Sequence, residues 1–320
     1  MNNLAFANEE VITSGQVNIL SGFLQSRKLQ RIDTPSDRVC FRLDRNKPII
    51  RIANGSVHEY PVRRSMVDKL LRWHHIDRWM LNKASNETAI SFLNDLLLSI
   101  KSSNVRIYVE NGDAKTITSN RYTEFFDDEV LKACADLKIS TVSRTDKVLR
   151  IDSVVDARFQ PAVGDDCGFG FTIFNSETGF HSLQISHYIL RYVCSNGLII
   201  KIPSIDKRLN YRNHYNLPTG NLKMFLENQL ASIKSTRRSI IRRLERSTRT
   251  LIDPQLQKKA LMLLRKINVN ADMIRNEVLN ARTEWELVNV VTAHARQQPV
   301  DLRLMLEQSA GRLFQKVYEN

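Results

Sequence analysis

The chain has 320 residues, 42% hydrophobic and 25% charged, with a formal net charge of +13. That apolar content is too high for intrinsic disorder, and 11 glycines with 8 prolines are too few for a collagen-like or linker chain. No window approaches the ~18 uninterrupted apolar residues of a membrane span. Residues 1–10 lack the basic start and apolar run of a secretory signal, so the sequence predicts a cytoplasmic protein with no membrane partner.

In chain order, residues 11–30 suit a short helix. Segments 39–43, 48–52 and 57–60 read as strands, punctuated by Asn54-Gly55. Segments 65–80 and 86–100 have helical spacing, the second with Ile90, Leu93, Leu96, Leu97 and Ile100 on one apolar face. The period then changes. Segments 105–110 and 114–118 flank Asn111-Gly112-Asp113 and predict a hairpin. Residues 127–137 predict a helix opening on acidic side chains, which its dipole favours.

From 147 to 202 the chain reads as strands, at 148–159, 168–175 and 181–193, separated by Val163-Gly164-Asp165 and Ser176-Glu177-Thr178-Gly179. This predicts an antiparallel meander, although residues 187–193 fit a helix equally well. Asn196-Gly197 predicts a turn. From Leu222 onwards the pattern is helical. Asp253-Pro254 supplies an N-cap and first helical residue, Thr283 and Glu286 form a capping box, and Gln297-Gln298-Pro299 breaks the chain before a last helix near 301–318. The expected class is α+β: an antiparallel sheet with packed helices followed by a C-terminal all-helical lobe. The expected regions are 1–104, 105–203 and 204–320, with the body and lobe meeting around 203–220.

Charge is distributed unevenly. Residues 1–200 hold 25 basic against 23 acidic side chains, whereas residues 201–320 hold 22 against 11. A basic lobe on a near-neutral body is the footprint of a polyanion-binding protein, most often one that binds nucleic acid. The stretch 222–251 concentrates it. On a helical wheel Leu222, Leu226, Leu230, Ile233, Ile240, Ile241 and Leu244 share one side, and Lys234, Arg238, Arg242, Arg246 and Arg249 gather on the other. Such a helix docks by its apolar face and presents guanidinium groups suited to bidentate phosphate contact. Arg237 interrupts the apolar stripe and must either snorkel or pair with an acid. Just upstream, Lys207, Arg208, Tyr211, Arg212, His214 and Tyr215 interleave basic and aromatic side chains, a combination that suits stacked single-stranded bases and their phosphates.

Catalytic patterns are few, and no cofactor is expected. The cysteines Cys40, Cys134, Cys167 and Cys194 are isolated and read as core residues, not as metal ligands or disulfides. His74-His75 sits in a predicted helix, where neighbours point about 100° apart and chelate one metal poorly. Asp165, Asp166 and Glu177 could serve a metal-dependent nuclease, but no tight spacing joins them. No nucleotide-binding glycine loop and no nucleophile elbow occurs.

The run 175–199, NSETGFHSLQISHYILRYVCSNGLI, resembles the segment "nSe-x-G … l-x-R-x-v-C-x-N-G" of the phage- and plasmid-encoded family called domain of unknown function 932. Thr118-Ser119-Asn120-Arg121-Tyr122 with 127–130, Arg212-Asn213-His214, and 285–295 with the later Gly311 resemble its other segments in order. The resemblance covers most of 105–315. It implies membership of a mobile element and favours DNA processing, and it carries over no catalytic residue. Together these readings predict a DNA-binding protein, single strands favoured, that assists recombination or annealing, with a homo-oligomer among the forms compatible with that role. The alternatives are the nuclease and an interaction protein whose basic face docks an acidic host partner.

Overall fold

The computed structural model describes residues 4–8, 12–14, 17–100, 104–122, 125–192, 196–200, 222–266, 271–295, 298 and 300–316. The chain is α+β, with antiparallel sheets and a helical C-terminal part. Its strands are β1 (Ile12–Ser14), β2 (Leu29–Pro35), β3 (Val39–Asp44), β4 (Lys47–Asn54), β5 (Ser56–Pro61), β6 (Asn104–Glu110), β7 (Asp113–Ser119), β8 (Ile139–Arg144), β9 (Leu149–Phe159), β10 (Cys167–Asn175), β11 (Gln184–Arg191) and β12 (Asn196–Ile200). Its helices are α1 (Val17–Ser26), α2 (Arg64–Trp73), α3 (Trp79–Lys83), α4 (Asn86–Leu98), α5 (Asp127–Ala133), α6 (Leu222–Ser247), α7 (Pro254–Lys266), α8 (Ala271–Asn280), α9 (Glu284–Ala295) and α10 (Val300–Lys316).

Local chemistry sets many of these boundaries. The β6–β7 hairpin turns on Asn111 and Gly112, both at positive φ, the geometry whose twist matches the flanking strands. Ser85 caps α4 by accepting the Thr88 N–H at 3.2 Å. Asp253 caps α7 through the Gln255 N–H at 2.8 Å. At α9, Thr283 accepts the Glu286 N–H, and the Glu286 carboxylate reaches back to the Arg282 N–H at 2.6 Å.

Strands β9 to β11 form the expected meander, which the sheet extends through β8 to β1 at one edge and to β12 at the other. Every residue of β10 is buried. Its Cys167, Phe169, Phe171 and Ile173 enter the larger apolar cluster with α1 and helices α5 to α10, while Phe174 on the other face joins Tyr188 and Leu304 in a smaller one. A separate cluster unites β3–β4–β5, α2, α4 and the β2–β6–β7 sheet. The apolar packing therefore groups β6–β7 with residues 39–100 and α1 with the C-terminal half.

Several expectations need correction. The predicted 65–80 helix stops at Trp73, because the chain turns at His75 with a positive φ; His74 and His75 lie in the turn before α3, not on a helix. The helix expected over 127–137 ends at Ala133, and β8 follows. Residues 187–191 are strand and not helix, and Asn196-Gly197 is not a turn, since Asn196 pairs with Arg191 and Gly197 with Leu190 in β11–β12. The expected boundary at 203–220 lies outside the described residues, as does Cys194; Cys134 and Cys167 are buried, their thiols pushed up to about 12 by burial.

Two glycines make the packing testable. A Cβ at Gly170 would run into the Ser153 carbonyl oxygen on β9, whereas a Cβ at exposed Gly22 in α1 meets nothing. Gly170→Ala is expected to lower the thermal midpoint by well over 10 °C or prevent folding, and Gly22→Ala to add about 0.5–1 kcal/mol. Thermal melts of both variants check the pair.

Candidate functional site

Two charged features stand out, one inside and one outside. The inner one lies where the two large apolar clusters meet. Arg27 follows α1, Arg63 precedes α2, Lys115 lies on β7 and Arg144 ends β8; all four are buried. Their partners are Glu110 at the end of β6, Asp127 at the start of α5, Asp146, and Glu177 in the β10–β11 turn, also buried. Arg27 grips Glu177 with two bonds, 2.7 and 2.6 Å. Lys115 reaches Glu110 at 2.6 Å and Glu177 at 3.1 Å. Arg144 donates to Asp127 at 2.8 Å and to Glu110 at 3.0 Å, and Arg63 pairs with Asp146 at 2.9 Å. Four positive and four negative groups balance, the condition for keeping ions out of water.

The same neighbours set the ionisation. Burial alone would raise Glu110, but Lys115 and Arg144 outweigh it and hold the carboxyl at about 2. Burial likewise opposes the charge on Glu177, and Lys115 with Arg27 drives it well below the ordinary range. Asp127 goes the other way, raised to about 6 by burial and by the charge of Glu177. Residues on which the family resemblance rests converge here. The Tyr122 hydroxyl donates to the Ser176 carbonyl at 2.6 Å, and the Asp127 N–H donates to Glu177 at 2.7 Å.

This arrangement overturns the nuclease grouping. Glu177 belongs to the buried network, while Asp165 is ion-paired to Arg191 and accepts the Trp285 indole N–H at 2.7 Å. Asp166 accepts from Gln160 at 2.7 Å. Asp165 and Glu177 flank opposite ends of β10, roughly 30 Å of strand apart. Among the described residues, no group of three His, Cys, Asp or Glu is placed to hold a metal ion.

The outer feature is α6. Ile240 and Leu244 are buried in the larger cluster, and Thr236 meets buried His187 of β11, Oγ1 to Nε2, at 3.0 Å. The helix thus lies across the β10–β11 face. Arg237 resolves by stacking: its guanidinium sits 5.9 Å from the centre of the Phe169 ring. Arg238, Arg242 and Arg246 are exposed, and their four-residue spacing places them along one stripe, about 6 Å of rise apart. Among the described residues, no carboxylate lies within ion-pair distance of Arg238 or Arg242. Arg246 faces Glu284, whose carboxyl is raised by burial and pulled back by that guanidinium. Because α6 ends at Ser247, exposed Arg249 stands in the following turn and does not continue the ladder. Lys207, Arg208, Tyr211, Arg212, His214 and Tyr215 lie outside the described residues, as does the Lys234 side chain.

The buried network missed by sequence reasoning left one trace, the acidic opening 127–129; its other members come from distant segments. Glu177→Gln is expected to cost about 3–5 kcal/mol, because Arg27 and Lys115 are left buried beside a neutral amide. Urea denaturation measures it as a lower midpoint at unchanged slope. Acid should destabilise the protein from about pH 6.5 downward. Burial lowers His187 to about 3, and burial with Arg72 lowers His181 to about 4, so the unfolded chain takes up protons that the folded imidazoles refuse. Glu110 adds a further loss between its ordinary 4.5 and about 2, while Asp127, which accepts its proton earlier when folded, offsets part of this between 6 and 3.8, and the raised Glu284 acts in the same direction. His187→Gln should flatten the limb between pH 6.5 and 3 in a melting-temperature series.

No family model, curated protein or solved structure matches the chain in comparison. Among the described residues, no helix is long and apolar enough to cross a membrane.

Proposed function

We propose that the chain binds nucleic acid, single-stranded DNA foremost, along the exposed arginine stripe of α6. The observation that carries this reading is the pairing of opposites on one helix. Ile240 and Leu244 are buried, while Arg238 and Arg242 project outward with no carboxylate partner among the described residues. Guanidinium groups spaced by about 6 Å match the repeat of an extended strand's phosphates closely enough for successive contacts.

The charge excess of residues 201–320 supports the same reading, since a polyanion is drawn to a field of one sign. The resemblance to the family called domain of unknown function 932 supports a place on a phage, plasmid or other mobile element, and with it a part in recombination or annealing by a homo-oligomer. Lys207, Arg208, Tyr211, Arg212, His214 and Tyr215 are proposed to extend the path with stacking and phosphate contacts.

Fluorescence polarisation with a labelled oligothymidylate tests the proposal. Affinity is expected to fall steeply between 50 and 200 mM salt. The double variant Arg238→Gln with Arg242→Gln, exposed and thus neutral for folding, should reduce the log–log salt slope by about 1.4 and weaken binding about tenfold at the lower salt. Binding indifferent to salt, or equal in the double variant, would remove the electrostatic basis of the proposal.

A further inference from the structure

The fully buried cations of the two ion networks have carboxylates against them: Arg27, Arg63, Lys115 and Arg144 in the central one, and Arg150 with Asp152 and Glu307 beneath α10. Half-buried Lys69 and exposed Arg72 are placed differently. They stand one turn apart on the same face of α2, where like charges repel. Lys69 is half-buried, and its ammonium donates to the Gly179 carbonyl at 2.7 Å. Arg72 donates to the Phe180 carbonyl at 2.9 Å. Among the described residues, no carboxylate lies within ion-pair distance of either.

The two converge with a third cation on one aromatic ring. The charged ends of Lys69, Arg72 and Lys147 lie 5.6, 5.7 and 5.6 Å from the centre of Phe180. Gly179 is at φ +72°, which turns its carbonyl toward Lys69 and leaves no room for a side chain beside that ammonium. A cavity of about 540 Å³ opens against exposed Arg72, lined also by Asp68, Leu71, His75, Ile76, Asp77 and Arg78; Lys69 and Phe180 do not line it, so only Arg72 joins it to the cluster on the ring. Of the carboxylates facing it, Asp68 is held by Arg78 at 2.7 Å and by Lys147 at 2.8 Å, and Asp77 is exposed. The charge of Lys69 and Arg72 is left over. Burial, with the Arg72 charge adding to it, holds the Lys69 ammonium down at about 8.

We propose that α2 and the turn 176–181 form an anion site that takes a phosphate-type group, held by the Lys69 ammonium and the Arg72 guanidinium beside Phe180, with Lys147 and Arg78 as outer charges. A dianion with several acceptor oxygens answers both cations at once and matches their summed charge. The guanidinium supplies paired N–H donors and the ammonium a point charge, the complementary means by which proteins hold phosphoryl groups. The group can come from a free phosphomonoester or from a nucleic acid backbone; the chemistry at Lys69 and Arg72 is shared. The site stands on α2 and the β10–β11 turn, independent of α6 and of the function proposed for it.

Isothermal titration of the full chain with inorganic phosphate at pH 7 and low salt tests the proposal. The native chain is expected to bind with roughly millimolar or tighter affinity, weakened at least tenfold by Arg72→Gln and by Lys69→Met and less by Lys147→Gln; Arg238→Gln with Arg242→Gln should leave it unchanged. If Lys69→Met fails to fold, the exposed Arg72→Gln carries the test, with circular dichroism as the check on folding. A second arm uses an oligonucleotide lacking terminal phosphates: weakening by Arg72→Gln assigns the group to a strand's backbone, and an unchanged affinity assigns it to a free phosphate. Absence of phosphate binding in the native chain, or equal binding by folded Arg72→Gln, would overturn the site.

Discussion

The fold depends on a junction of ions shut away from water. Glu177 alone is met by Arg27, Lys115, Arg144 and the Asp127 N–H, groups drawn from the end of α1 and from β7, β8 and α5. Each of those elements belongs to one or other of the large apolar clusters, so the network fixes how the two halves meet. An apolar junction of the same volume could be as stable, because desolvating ions offsets most of their attraction. What the ions add is direction: a salt bridge at 2.6 Å with two parallel bonds tolerates little rotation, whereas leucines slide. Losing one partner would take a large share of the 5–15 kcal/mol that a domain typically has in reserve.

Set against that interior, the unpaired cations acquire meaning. In the two buried networks this chain neutralises its charges, by Arg150 with Asp152 and Glu307 as by the central junction. Where it does not, at Arg238 and Arg242 on α6 and at Lys69 and Arg72 on α2, we propose that a ligand brings the counter-charge. Arg246, turned toward Glu284, shows the contrast within a single helix. The anchoring of α6 by Ile240 and Leu244 keeps its outward stripe in register, which a flexible basic tail could not do.

Much of the architecture was legible because it was local. The Asn111-Gly112 hairpin, the caps at Asp253 and Thr283, and the meander of β9 to β11 follow from turn chemistry and alternation within a few residues. The errors also have physical causes. Residues 187–191 satisfy helical spacing, but a strand buried on both faces loses its alternation, so periodicity could not choose. The break at His75 needs a positive φ that histidine does not advertise. The ion junction joins Arg27 to Glu177 and Arg63 to Asp146 across long separations, and a single sequence holds no signal for such pairs. Lys69 and Arg72 were invisible for the same reason: two basic residues one turn apart on a helix look like a solvated face until the Phe180 turn is seen lying over them.

The reading stands on outward charge without inward compensation, and contact mapping examines it most directly. Photocrosslinking the chain to single-stranded DNA carrying 5-bromodeoxyuridine, followed by peptide mass spectrometry, locates the strand without relying on affinities. The account predicts adducts within 235–249 and in the 207–215 segment. Adducts confined to other surfaces, with those peptides recovered unmodified, would contradict it.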